Sequence, residues 1–371
     1  MQMTGNALLF EGVGSEPYLQ SIETRPPRHG EVLVKLEAAG ICHSDLHVLK
    51  GEWPIWERTA LGHEGAGIVV GLGEGTTGLT VGDRVILSWY AACGYCSACV
   101  DGKTWLCSKS NAVNHMLPDG TTPLSAKDGR PVQPYLGVSA FSEYAVVPRE
   151  AVVKVPHEVP PEIAALIGCA VTTGVGAVLN TAGVKAGETA VVVGAGGVGQ
   201  AIVLGLRLSG ASKVIVLDPS EERLEIAAQL GATDVIDGMC SQRFEKVKEL
   251  TDGEGVDFVF DAIGISRVTA DVMKYLKYGG AAVLVGMPAK DDKVTIDHWP
   301  LVYSGQRILG CHYGSSRPQA DFVKIARLYL SGLLPLDQLV GDRIPQTQIS
   351  DAILGLEKAA GKRVVVDFKM T

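Results

Sequence analysis

The 371-residue chain predicts an α/β plus β-rich fold, with a doubly wound parallel sheet inserted in a discontinuous, barrel-like β domain. Three observations carry this. Up to about residue 160 the sequence runs in short β-type stretches broken by Gly, Pro and Asp: EVLVKLEAAG, AGIVVGLG, GDRVILSW and FSEYAVVP. From about residue 165 apolar strands alternate with long helical stretches, which means βαβ units and a parallel sheet. After about residue 312 the texture is mixed again and ends in the β-like RVVVDF. The expected boundaries are 1–170 for the β-rich domain, 171–312 for the α/β domain and 313–371 for the return.

In order, the α/β part reads as strand TAVVVGAGGVG, helix QAIVLGLRLSG, strand KVIVLD, helix SEERLEIAAQLGA and strand DFVFDAIG. Helix SRVTADVMKYLKYGG and strand AAVLVGM follow. The apolar run 163–180, IAALIGCAVTTGVGAVLN, approaches the length of a membrane span but holds two Thr, one Cys and three Gly without a basic flank. It is expected to be a buried helix. Composition is that of a soluble globular protein, 46% hydrophobic and 20% charged. A net charge of -8 without clustered Lys and Arg argues against nucleic acid as a partner. MQMTGNALLFEGVG lacks a basic region leading into an apolar core, so a cytoplasmic, reducing location is expected, without membrane insertion.

Gly194, Gly196 and Gly199 form G-x-G-x-x-G after an apolar strand and at the opening of a helix, with Asp218 at the end of the next strand. That context is the dinucleotide fingerprint: glycines for a tight turn and close pyrophosphate approach, a carboxylate for the adenosine ribose. A carboxylate at 218 favours NAD over NADP, since it would repel a 2′-phosphate.

Residues 89–107, WYAACGYCSACVDGKTWLC, hold Cys93, Cys96, Cys99 and Cys107, half of the eight cysteines. A reducing compartment weakens a disulfide reading. The seven-residue gap before Cys107 departs from the ferredoxin run, and a redox C-x-x-C would sit beside a βαβ pattern. Four thiolates on one lobe suit a closed, tetrahedral structural zinc. Cys42 in GICHSDLH, His63 and Glu64 in LGHEGAG, and Cys169 in LIGCAVTTG are each unremarkable alone. Sequence spacing cannot show that they meet, although three N/S donors with one open position are what a catalytic zinc uses. Cys240 and Cys311 read as structural.

The ordered set GICHSDLH, GHEGAG, the four-cysteine lobe, GCAVTTG, GAGGVG and RVVVDF resembles the zinc-dependent medium-chain alcohol dehydrogenases, liver-type and bacterial, over nearly the whole chain. The resemblance implies a Rossmann domain inserted in a GroES-like catalytic domain that carries a structural-zinc lobe at about 89–110. It implies NAD and two zinc ions per chain, one catalytic and one structural. Cys42, His63 and Cys169 would hold the catalytic zinc, with Glu64 a second-layer or transient ligand. Ser44 and His47 match the family's proton relay, joined through the nicotinamide ribose. On the cofactor side it implies Val198 and Thr173 near the nicotinamide, Arg223 near the adenosine ribose, and Arg363 and His43 toward the pyrophosphate.

The reaction implied is reversible oxidation of primary alcohols to aldehydes with hydride transfer to NAD. The pocket walls would include Trp53, Trp89, Ala112 and Tyr135. Leu136, Met287 and His312 would complete them, with Trp89 crowding the zinc end. Apolar walls suit aliphatic, allylic or aromatic alcohols rather than sugars, and Cys169 stands where sorbitol-type relatives have glutamate. A second reading is a glutathione-dependent formaldehyde dehydrogenase. Asn111 replaces that subfamily's basic residue, and His47 its tyrosine. A third is a catalytically silent NAD-binding protein, against which the retained zinc ligands, Ser44 and His47 argue. The long segment between Cys107 and Phe141 resembles that of dimeric members, so a homodimer is expected, with a homotetramer as the other assembly.

Overall fold

The computed structural model describes residues 2–53, 55, 58–356 and 361–370. It divides into two compact units: Met1–Cys169 with Arg317–Ala359 and Arg363–Thr371, and Ala170–Ser316 with Ala360–Lys362.

In the first unit the β-type runs pair mainly antiparallel, with Val340–Ile344 parallel to Arg363–Asp367 and Thr59–Ala60 parallel to Pro131–Pro134. A sheet orders strands Val152–Lys154, Arg84–Leu87, Glu64–Leu72, Glu31–Gly40, Arg363–Asp367 and Val340–Ile344, with Tyr144–Pro148 also paired to Glu31–Gly40. Strand Glu31–Gly40 is its spine, and its end is placed by register: Gly40 sits opposite Glu64, and Val365 opposite Gly40. Phe10, Leu36, Ile41, Leu61 and Phe141 fill the core beneath it. Each such side chain contributes about 1.5–3 kcal/mol through its removal from water.

A small closed barrel joins Met3–Phe10, Tyr18–Thr24, Leu124–Ala126, Pro131–Pro134 and Thr59–Ala60. Two of these strands come from the long segment after Cys107. That segment is therefore part of the barrel wall and not simply a connection.

The second unit holds a parallel sheet in the order Asp234–Asp237, Lys213–Asp218, Thr189–Val193, Val256–Asp261, Leu276–Leu284 and Arg307–Gly310. Counted within the unit this is 3-2-1-4-5-6, the doubly wound dinucleotide order. The sequence pattern puts a long helix over 266–280, but the chain makes only the short turns Ser266–Thr269 and Val272–Tyr275 before strand Leu276–Leu284 begins. Tertiary pairing decides this: Leu276 sits opposite Val256, and after a register shift Ala281 sits opposite Phe258. The apolar helix Pro161–Ala182 is long enough to cross a bilayer, yet 83% of its most apolar window is buried inside the protein.

Candidate functional site

Two groups of metal-ligating side chains converge within the first unit. The lobe brings the Cys93, Cys96, Cys99 and Cys107 sulfurs within 4.8 Å of one another. Cys93 Sγ lies 4.0 Å from Cys99 Sγ, and Cys96 Sγ 3.9 Å from Cys107 Sγ. Zinc with four thiolates at about 2.3 Å has sulfur–sulfur edges of about 3.8 Å, so the donor set fits. Backbone amides already serve the sulfurs: Cys93 N–H donates to Cys107 Sγ at 3.3 Å, and Cys96 N–H to Cys93 Sγ at 3.4 Å. The amide of Cys99 brings Cys96 down to about 6, whereas burial pushes Cys99 up to about 12. All eight cysteines are unbridged.

The second group is Cys42, His63, Glu64 and Cys169, all buried, their donor atoms again within 4.8 Å of one another. Each arrives on a different element. Cys42 is the N-cap of helix His43–Leu49, where its N–H donates to Asp45 Oδ2 at 3.1 Å. His63 ends the loop before strand Glu64–Leu72, and Cys169 sits in a π-helical turn, Ile167–Val171. Asp45 Oδ1 lies 3.4 Å from His63 Nδ1, which leaves Nε2 available to a metal, the usual carboxylate–histidine arrangement behind one.

The electrostatics of this pocket call for a cation. Cys169 donates to Cys42 and holds that thiol well below the ordinary range, while its own is pushed well above by that bond and by burial. Burial lowers His63, but Asp45 and Cys42 outweigh it and leave the imidazole well above its usual range. Burial raises Glu64 to about 7 against the opposing Arg363. Arg363 Nη2 lies 2.6 Å from Glu64 Oε2, an ion pair off hydrogen-bond alignment, and Glu64 Oε1 is buried without a hydrogen bond among the described residues. A Cβ on Gly40 would fall 2.0 Å from Glu64 Oε2, so glycine there leaves the carboxylate its place. The donor set fits zinc: two sulfurs and one nitrogen, with a carboxylate held back by an arginine.

Around this pocket, Cys42 Sγ lies 3.6 Å from Ser44 Oγ as donor. His47 Nδ1 is bonded to Glu52 Oε2, and its ring stacks on Trp53 at 4.7 Å. Tyr135 is fully buried; its hydroxyl donates to the Ser44 carbonyl at 3.1 Å, and its ring meets His63 edge-on at 5.7 Å. Burial keeps that hydroxyl protonated. Trp89, Ala112 and Leu136 line one small recess with Met116, Leu117 and Pro118. His43 is exposed. Asn111 is left-handed (φ 56°), its amide donating to the Leu117 carbonyl at 3.0 Å.

In the second unit, Gly194 takes φ 95°, Gly196 faces open space, and a Cβ on Gly199 would fall 1.8 Å from Gly194 O. These are the three glycine roles of a dinucleotide turn. Gly196 caps helix Gly197–Ser209. Asp218 is buried and accepts from Ala195 N at 2.8 Å and Ser220 N at 2.9 Å; Arg223 Nη1 stands 4.0 Å from it. Thr173, Val198 and His312 are half-buried, and Met287 is 55% exposed.

Three residues passed over in the sequence belong to these surroundings: Asp45, Glu52 and His115. Asp45 had a local signal, an acid three residues after a helix N-cap. The other two had none.

Residues 28–157 match the family of the alcohol dehydrogenase GroES-like domain, and 197–331 that of the zinc-binding dehydrogenases. The alcohol dehydrogenase class-3 of Myxine glutinosa is 36% identical over 340 residues, 90% of each chain. The S-(hydroxymethyl)glutathione dehydrogenase of a Synechocystis strain is 35% identical over 367 residues, 98% of this chain and 99% of that one. Among solved structures, benzyl alcohol dehydrogenase from Acinetobacter calcoaceticus is 33% identical, with a TM-score of 0.93 over 98% of this chain and 99% of its own. The two-sulfur, one-nitrogen pocket, the four-thiolate lobe and the glycine turn are thus found in a chain that belongs to the zinc-dependent, NAD-using medium-chain alcohol dehydrogenase family.

Proposed function

We propose that the protein oxidises primary alcohols, aliphatic, allylic or aromatic, to aldehydes with NAD, using Cys42, His63 and Cys169 as catalytic-zinc ligands. The observation that carries this is the buried Cys42–His63–Glu64–Cys169 group, in which Arg363 holds the Glu64 carboxylate and leaves three ligands and an open position. Zinc bound there supplies Lewis acidity that lowers the pKa of an alcohol hydroxyl, and NAD supplies the hydride acceptor.

The chain's own residues then manage the proton. Ser44 stands beside Cys42 with a hydroxyl that both accepts and donates, as the first step of a relay requires. Glu52 bonds His47 Nδ1, which makes Nε2 the basic nitrogen, and the imidazole is part-exposed, suited to passing the proton to water. The geometry of Asp218 supports binding to the adenosine ribose and a preference for NAD.

Substrate choice is supported by two features. The Acinetobacter relative is a benzyl alcohol dehydrogenase, and Trp89, Ala112 and Leu136 offer apolar walls. Two relatives at 36% and 35% identity are a class-3 alcohol dehydrogenase and an S-(hydroxymethyl)glutathione dehydrogenase, which favours the glutathione adduct as the second reading. Against it, Asn111 is neutral, and its amide is spent on the Leu117 carbonyl. The test follows NADH absorbance with ethanol, hexanol, geraniol, benzyl alcohol, cyclohexanol and sorbitol, and with formaldehyde with and without glutathione. Turnover of primary alcohols without a thiol supports the proposal; turnover only of formaldehyde with glutathione replaces it.

A homodimer is supported by the second unit's surface, where Tyr278, Trp299, Val302 and Tyr303 are exposed and Trp299 stacks on Tyr303 at 5.7 Å. Strand Arg307–Gly310, at the sheet's edge, lies beside Tyr278's strand. Light scattering of the wild type and Trp299→Glu checks it, with the variant expected to run as a monomer. A cytoplasmic location completes the proposal.

A further inference from the structure

Tyr135 is one of the largest fully buried side chains in the protein and touches two of the ligand-bearing segments of the buried pocket. Its hydroxyl holds the carbonyl of Ser44, in the first turn of the helix that Cys42 caps. Its ring edge meets the His63 imidazole. What fixes Tyr135 is unusual backbone. Leu136, next in the chain, is left-handed at φ 49°, and His115, in the loop alongside, is left-handed at φ 56°. Such conformations cost non-glycine residues free energy and persist only where the surroundings hold them. Here they hold each other: Leu136 N–H donates to His115 Nδ1 at 3.2 Å, and the buried imidazole packs against the Tyr135 ring at 5.1 Å.

We propose that Tyr135, seated by His115, is a positioning residue that sets Ser44 and His63 relative to each other. The proposal deepens the reading above, since it rests on Ser44 and His63 being part of the alcohol-oxidising site. The histidine must accept at Nδ1 for the strained Leu136 turn to close. The turn in turn aims the tyrosine, whose hydroxyl and ring edge reach two segments that sequence separates. Tyr135 and His115 would therefore act on the chemistry from behind Ser44 and His63, through the segments they hold.

Tyr135→Phe keeps the ring against His63 and removes the bond to Ser44. It is expected to lower kcat for the best primary alcohol about tenfold, the worth of one buried hydrogen bond, with zinc content and the KM for NAD unchanged. The acid limb of the pH–kcat profile should move upward as the relay loosens. His115→Ala should give a similar loss. His115→Asn, whose side-chain oxygen can accept from Leu136 N–H, should recover most of it, and Tyr135→Phe combined with His115→Ala should fall no further than either alone.

Hydrogen exchange gives a readout independent of turnover. Amides of 43–49 should exchange about tenfold faster in Tyr135→Phe, and those of 135–137 faster in His115→Ala but not in His115→Asn. Unchanged exchange in these segments overturns the clamp, whether or not the wild type oxidises alcohols. Faster exchange with kcat within twofold of wild type overturns the positioning role. Equal losses in His115→Asn and His115→Ala, or lost zinc in Tyr135→Phe, reduce both residues to general structural support and overturn it too. An inactive wild type in which the exchange differences stand sinks the catalytic reading alone.

Discussion

The two cysteine-rich centres differ in how they are built. The lobe draws all four sulfurs from residues 93–107, a single stretch whose own backbone amides bond two of them. The buried pocket draws its donors from residues 42, 63, 64 and 169, on a helix cap, a loop, a strand end and a π-turn. The lobe presents four equivalent ligands and is closed; the pocket presents three, with a carboxylate tied to an arginine. A local site can be assembled by a loop, whereas the proposed catalytic centre, which would leave a position open and move a proton, draws its supports from distant segments.

The strongest way to break this comparison is to delete one ligand from each centre. Cys42→Ser is expected to abolish turnover, about a thousandfold or more, and to lower zinc from two to one per chain while the fold persists. Retained zinc and rate would show that the pocket is not the catalytic centre. Cys107→Ser should do the reverse, with stability lost first and activity falling only as the lobe unravels. Elemental analysis with thermal unfolding of both variants separates the two patterns.

Smaller effects sharpen the contrast. Arg363→Met leaves the Glu64 carboxylate buried and unpaired, a loss of about 3–5 kcal/mol in urea unfolding. The loss should be larger at pH 8 than at pH 6, because Glu64, already raised to about 7 by burial, then rises further and is neutral at the lower pH. An equal loss at both pH values would mean that Glu64 does not carry the charge. In the lobe, Cys99 is pushed up to about 12 and must release its proton when zinc binds. Apparent zinc affinity there should rise at least about tenfold per pH unit between pH 6 and 9, and more steeply below about 6 where Cys96 also protonates. A flat competition-chelation profile would contradict this. Asp218→Gly should weaken NAD binding, since the carboxylate both holds the Ala195 amide of the glycine turn and faces the proposed ribose site; calorimetric titration checks it.

Legibility followed the same division. The lobe could be read from spacing, and the glycine turn from a strand before it, a helix after it and an acid on the next strand, all within 25 residues, 194–218. The pocket's residues were found by resemblance, because nothing in spacing brings Cys42 to Cys169. His115 and Glu52 stayed invisible, since a lone histidine in a loop and a surface glutamate look like any others. The segment 266–280 misled for the opposite reason: its local pattern is helical, but from Leu276 on the chain pairs in the sheet beside Val256–Asp261, a long-range pairing that local pattern does not encode.

By itself, the sequence determined the βαβ order, the dinucleotide turn and the four-thiolate lobe, because each depends on contacts between near neighbours whose geometry is set by residue type and spacing. Only the tertiary structure decided that Arg363 restrains Glu64, that the stretch after Cys107 closes a barrel, and that His115 and Tyr135 stand behind Ser44 and His63. Those arrangements depend on which distant segments share a buried, low-dielectric space, where a few ångströms determine whether a charge is paired or a hydroxyl is in reach.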